Sequence, residues 1–178
     1  MHPVNLRGQL VTLREFRHAD IDDALHVVSD DRVTTWLSFD SRSPAATTDM
    51  ITGAIERAQQ VPRTEYYLAV TDEIDALIGF ARLGFAGVKA AKLGYAIRAD
   101  RWGKGYATDA CRTMIGFGFA ELDLHRISAA IGPDNAASIA VVRKLGMTHE
   151  GRLRDHVFTN GEWRDSELFA ILAHEARS

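Results

Sequence analysis

Residues 98–110 read "RADRWGKGYATDA", and the way this stretch is read decides the fold of the chain around it. Two glycines, Gly103 and Gly105, flank Lys104, and a helix-forming run begins directly behind them. Glycine at the start of a helix serves a backbone conformation that other residues adopt only at a cost. Amides turned toward one point there lie at the positive end of the helix dipole, so the spot attracts an anion such as phosphate. Lys104 adds a positive charge, Ala107 is small, and the Thr108 hydroxyl is a further donor. Residues 103–108 therefore read as a cradle for a pyrophosphate. A plain tight turn that happens to use glycine is the alternative. The spacing does not fit a Walker loop, which needs Gly-x-x-x-x-Gly-Lys-Ser/Thr. It also departs from the dinucleotide fingerprint, because Thr108 stands where the third glycine belongs.

Downstream, a helix runs to about Leu122. Ala107, Ala110, Cys111, Met114, Ile115, Gly118 and Leu122 recur at spacings of three and four and form one apolar stripe. Gly116 and Gly118 weaken that helix and suit the close approach of a neighbouring element. "RISAAI" (126–131) reads as a strand, and "DNAASIAVVRKLG" (134–146) as a helix stopped by Gly146. Asn135 and Ser138 lie one turn apart at its start. Strands near 147–156 and 164–172 follow, with Asn160-Gly161 between them as a hairpin signal.

Upstream, "EYYLAVT" (65–71), "DALIGFARLGF" (75–85) and "AAKLGYAI" (90–97) form a meander of three strands. "SPAATTDMITGAIERAQQ" (43–60) is helical, with Ser43 as cap and Pro44 in the first turn. "HADIDDALHVVSD" (18–30) is a helix capped by Asp20, and "QLVTLREF" (9–16) alternates as a first strand. The order β-α-α-β-β-β-α-β-α-β-β places the chain in the α/β class, of the α+β type. It predicts a mixed, mostly antiparallel sheet of about seven strands flanked by about four helices.

Composition narrows the function. The 178 residues fit one domain spanning 1–178, with 46% hydrophobic and 25% charged residues. The net charge of −3 and the absence of any long Lys/Arg block argue against nucleic acid as the main partner. Cys111 is the single cysteine, so no internal disulfide forms, and its place on the apolar stripe suits an inert thiol. The N-terminus "MHPVNLRGQL" lacks a signal peptide, and no apolar run approaches a membrane span. A cytoplasmic protein is expected.

The stretches "LGYAIRADRWGKGYATDA" and "LHRISAAIGPDNAASIAVVRKLGMTHEGRLRD" together resemble the GCN5-related N-acetyltransferase (GNAT) family. The branch they resemble is that of the ribosomal-protein alanine and serine N-acetyltransferases, the RimJ/RimL type, and "GQLVTLREFRHADIDD" is similar to that branch's opening. The family signature Gln/Arg-x-x-Gly-x-Gly/Ala falls on Trp102, Gly103, Lys104, Gly105, Tyr106 and Ala107, with Trp in place of Gln/Arg. The resemblance implies a GNAT fold in which strands four and five of the seven splay apart. It implies acetyl-coenzyme A as cofactor, its pyrophosphate on the amides of 103–108 and its pantetheine arm between the splayed strands. Asn135 would hydrogen-bond that arm, backbone atoms of Tyr95, Ile97 and Arg98 would pair with it, and Arg143 would add a contact.

The implied reaction is direct transfer of acetyl to an amine, which must first lose a proton, since an alkyl ammonium ionises near pH 10. In many relatives a tyrosine seven residues past the Asn protonates the departing thiolate, and Val142 stands there. The serine three residues past the Asn is the other candidate, which makes Ser138 the expected acid. A serine bonded to its own helix backbone is the alternative. The base is less defined: Lys92-Leu93 and Val157 replace the branch's acidic positions. Glu150 and His125 are the foremost candidates, beside Glu15, Asp155, His156 and a water chain with no dedicated base. Trp36, Phe39, Phe158 and Trp163 would line an acceptor pocket, or else belong to the core or to the contact of a homodimer. The competing function is a non-catalytic acyl-coenzyme A-binding sensor. No metal site is expected.

Overall fold

The computed structural model describes residues 3–176. Its centre is one eight-stranded sheet in the order β1-β2-β3-β4-β5-β6-β8-β7. β1 (Asn5–Arg7), β2 (Thr12–Arg14), β3 (Glu65–Thr71), β4 (Leu77–Phe85) and β5 (Ala90–Ile97) pair antiparallel in sequence. β6 (Arg126–Ile131) joins β5 in parallel, and β8 (Glu162–Leu172) separates it from β7 (Thr148–Thr159). The helices are α1 (Ile21–Val28), α2 (Asp31–Thr34), α3 (Pro44–Ala58), α4 (Tyr106–Ala120) and α5 (Ala136–Lys144). Among the described residues, no helix is long and apolar enough to cross a membrane.

Each face of the sheet carries its own core. α4 and α5 cover one face, where Leu68, Leu83, Leu93, Ile127 and Phe169 meet Cys111, Met114 and Val142. α1 and α3 cover the other, where Tyr67, Leu77 and Phe80 meet Val27, Val28, Ile51 and Ala54. The split follows from the two-residue period of a strand, which sends alternate side chains to opposite faces. Gly118 brings α4 close to the sheet: a Cβ there would stand 2.8 Å from Ile127 Cδ1 and 3.1 Å from Leu83 Cδ1. Gly116 faces open space, so the sequence reading of this pair holds for Gly118 alone.

Two features depart from expectation. The strand read over 9–16 is confined to β2, and a further short strand, β1, precedes it across a turn at residues 8–11. The Gly8 amide donates to the Val11 carbonyl at 2.8 Å, and the buried Asp109 carboxylate accepts from the amides of Gln9, Leu10 and Val11 at 3.1, 2.7 and 3.1 Å. Asp109 lies in the first turn of α4, so the helix behind the glycine pair also holds this turn in place. Residues 31–34 add the short helix α2, where the Asp30 side chain accepts from the Arg32 amide. With these additions the splayed strands are β5 and β6.

Candidate active site

β5 and β6 pair over three residues only: Ala90 with Arg126, Ala91 with Ile127 and Lys92 with Ser128. β5 continues to Ile97 alongside β4, and β6 continues to Ile131 alongside β8. Residues 93–97 and 129–131 therefore face each other across the sheet without pairing. Edge amides and carbonyls left open inside a sheet are a ready site for an extended ligand.

The glycine pair stands at the foot of this gap. Gly103 and Gly105 have φ of 75° and 83°, in the left-handed region that suits glycine. Gly105 is the N-cap of α4, and α4 has no side-chain cap. Among the described residues, the amides of 103–108 donate to no protein acceptor; the first paired amide is that of Asp109, at 3.0 Å from the Gly105 carbonyl. A Cβ on Gly103 would meet nothing within 4 Å, so the space beside it is open. Unpaired amides, an open face and the positive end of a fifteen-residue helix fit the pyrophosphate that the sequence leads one to expect. Lys104 is exposed at the rim, and Thr108 makes no side-chain bond to a described residue.

Trp102 has a role that the signature alone did not reveal. Its indole Nε1 donates to the Ile97 carbonyl at 2.7 Å and ties the cradle to the open end of β5. That carbonyl, expected to meet the pantetheine arm, already has one donor. The Arg98 amide donates to the Ile78 carbonyl, and its guanidinium pairs with Asp100. Tyr106 and Ala107 pack against the core of the α4 face. Arg143 is exposed on the last turn of α5.

Across the gap, Asn135 is the N-cap of α5, and its Oδ1 accepts from the Ser138 amide at 3.1 Å. The capping role and a ligand role are compatible, because the two Nδ2 donors stay available. The Ser138 hydroxyl does not bond its own helix backbone and lies within reach of the Tyr95 hydroxyl. Tyr95 projects toward the same region from β5, and its hydroxyl is buried without a partner. Cys111 is wholly buried, and burial pushes its thiol up, away from the reactive thiolate.

The candidate bases lie elsewhere. Glu150 is on the edge strand β7, bound by the two terminal guanidinium nitrogens of Arg126. Arg126 opens β6 at the paired, closed end of the gap. That hydrogen-bonded pairing holds the Glu150 carboxyl below its ordinary value. His125, exposed at the same closed end, has its amide on the Lys89 carbonyl. The structure therefore does not bring Glu150 or His125 together with Ser138. Glu15 is paired with Arg63, and His156 Nδ1 bonds the Ser166 hydroxyl at 3.0 Å.

The aromatic residues divide. Trp36 lies over the end of β6, with Cε3 3.8 Å from the Cβ position of Gly132. Phe158 and Trp163 pack edge to face at the tip of the β7–β8 hairpin, 57% and 60% exposed. Phe39 instead packs against the α1/α3 core with the Arg42 guanidinium 4.3 Å above its ring. A polar clasp holds this side together. Arg164 donates to the carbonyls of Thr35 and Leu37, and the Asn160 amide donates to Asp40 Oδ1 at 2.8 Å. Among the described residues, no cluster of three or more metal-ligating side chains forms.

Known proteins resemble this chain in sequence and in fold. The family model for the acetyltransferase (GNAT) domain matches residues 11–148. The uncharacterized N-acetyltransferase p20 of Bacillus licheniformis is 30% identical over 96% of this chain and 97% of that protein. Spermidine N(1)-acetyltransferase of Escherichia coli is 33% identical over 44% of this chain and 42% of that protein. The structure of RimJ from Mycobacterium smegmatis, in complex with CoA-disulfide, superposes with a TM-score of 0.85. It is 26% identical and covers 100% of this chain and 93% of that one. A sheet that parts beside an amide cradle, matched over nearly the full length by relatives of this kind, places the chain in the GNAT family, on its RimJ/RimL-like branch, as an N-acetyltransferase.

Proposed function

We propose that this protein binds acetyl-coenzyme A in the gap between β5 and β6 and transfers the acetyl group directly to a primary amine in a ternary complex. The observation that carries this reading is the run of unpaired amides at 103–108 at the foot of two strands that part. RimJ of M. smegmatis was solved with a coenzyme A species, which supports the same ligand here. The amides of Gly103 to Thr108 would hold the pyrophosphate, with Lys104 at its edge. Asn135 Nδ2 and the open backbone of 93–97 would hold the pantetheine arm. When bound, the thioester supplies the activated acyl group; the chain supplies its placement.

The acceptor enters from the side framed by Trp36, Phe158 and Trp163. Its class is a primary amine, either a protein N-terminal α-amine or a small molecule. The second is in keeping with the spermidine acetyltransferase among the relatives. An alkyl ammonium gives up its proton near pH 10. The carboxylates of Glu150, Asp165 and Glu167 are committed to Arg126, Arg152 and His149. The amine therefore loses its proton to water, and turnover rises with pH toward that value. Ser138, held on the first turn of α5 with its hydroxyl not bonded to the helix backbone, is the donor for the departing sulfur.

The test is thiol release from acetyl-coenzyme A against a panel of polyamines, small amines and N-terminal peptides. Acceptor-dependent release supports the reading. Tight coenzyme A binding with no release for any acceptor would mark a binding module instead, and no binding at all would overturn both.

A further inference from the structure

Two hydroxyls stand next to the open end of β5 and β6, and one of them has no partner among the described residues. The Tyr95 oxygen is buried and bonds no described residue. The Ser138 amide is capped by Asn135, but the Ser138 hydroxyl does not bond the carbonyl one turn back. Tyr95 shares the face of β5 that carries Ala91, Leu93 and Ile97, the face covered by α4 and α5. Burial pushes its phenol up, and the buried Cys111 adds to this; hydrogen bonding with the nearby Ser138 side chain acts in the opposite direction. The two hydroxyls are thus neighbours within reach of each other, while the Tyr95 oxygen has no partner of full hydrogen-bond geometry. A buried hydroxyl with no partner is unfavourable and persists where something else gains from it.

We propose that Tyr95 is a positioning residue for acyl transfer: its O–H donates to Ser138 Oγ and leaves the serine O–H to donate to the sulfur at the open end of the gap. This rests on the transferase reading above. As the N–C bond forms and the C–S bond breaks, the electron pair stays on sulfur. The proton lost by the amine passes to that sulfur through solvent. Both hydroxyls keep their protons, since a thiol ionises near 8.5 and a phenol near 10 or, when buried, above it. Tyr95 acts by direction, and a phenol held protonated across the working range is always a donor.

The experiment uses four proteins: wild type, Tyr95→Phe, Ser138→Ala and the double variant. In the wild-type background, Tyr95→Phe is expected to lower kcat by about fivefold or more with the KM for acetyl-coenzyme A unchanged. In the Ser138→Ala background the same change is expected to alter kcat by less than about twofold, because the partner is already gone. The ligand-free Tyr95→Phe protein is expected to melt at the wild-type temperature or above it, since an unpartnered hydroxyl has been removed. An unchanged kcat overturns the proposal. So do equal losses in both backgrounds, or a lowered melting temperature that accompanies the loss. A wild-type protein with no acceptor-dependent thiol release overturns the transferase reading and this inference together. An active wild type with additive losses overturns only the role of Tyr95.

Discussion

Replacing Gly105 with aspartate separates charge from shape at the cradle. Gly105 caps α4 with φ at 83°, and a Cβ there would stand 3.4 Å from Leu10 Cδ1, at the edge of ordinary contact. A left-handed conformation costs a side chain about 1–2 kcal/mol, less for Asp and Asn, whose side chains bond locally. An aspartate at an N-cap recovers part of this by accepting an amide and facing the helix dipole. The ligand-free protein should therefore lose no more than about 1–2 kcal/mol, a melting shift of roughly 2–8 °C. Coenzyme A binding should suffer more. A carboxylate about 5 Å from two phosphate charges meets about 0.8 kcal/mol of repulsion per pair even at the dielectric of water, or about 1.7 kcal/mol for both. That is a loss of about fifteenfold as a lower bound, since the site is partly shielded from solvent. Gly105→Asn has the same shape without the charge and should retain most of the affinity. Calorimetric titration with coenzyme A at low and high salt reads both effects, and only the aspartate penalty should shrink with salt. Equal affinities for the two variants, or an aspartate penalty indifferent to salt, would refute an anion site at these amides.

Asp109→Ala removes the acceptor of three amides in the 8–11 turn. It should destabilise the protein by about 3 kcal/mol, seen as a melting point lower by roughly 6–12 °C. Burial pushes the Glu65 carboxyl up, but the guanidiniums of Arg57 and Arg82 outweigh this and hold it below its ordinary 4.5. Its contribution is present above that value and fades as pH falls through the lower, folded value. Glu65→Gln should therefore melt below wild type at pH 7, and the gap should close under acid; a gap independent of pH would contradict the pairing. Arg164→Ala breaks the clasp to Thr35 and Leu37, and should raise the KM for the amine while coenzyme A affinity, read by calorimetry, stays the same.

The long elements were legible because their periodicity is local. Alternation places β3 at 65–71 and β5 at 90–97, and the apolar stripe places α4. What escaped depends on contacts that only the folded chain makes. The first strand starts only at Thr12 because Asp109 holds residues 9–11, about a hundred positions before it, in a turn. Glu150 reads as a candidate base until the β6-β8-β7 order seats it on Arg126. Trp102 looks like a departure from a signature, and only the folded chain brings its indole to the Ile97 carbonyl. The cradle itself is encoded in adjacent residues, which is why the glycine pair could be read so directly.

The parting of β5 and β6 also divides the molecule in its chain order. Strands β1–β5 end at Ile97, strands β6–β8 begin at Arg126, and α4 carries the chain between these two blocks. Their strands pair at three residues at one end, and the blocks also meet in the core under α4 and at the Arg164 clasp on the side of Trp36. A molecule threaded between them would be framed like a pane in a window. It would also act as a keystone: hydrogen exchange should slow in both blocks at once when the opening is filled, although most residues of either block never meet the guest.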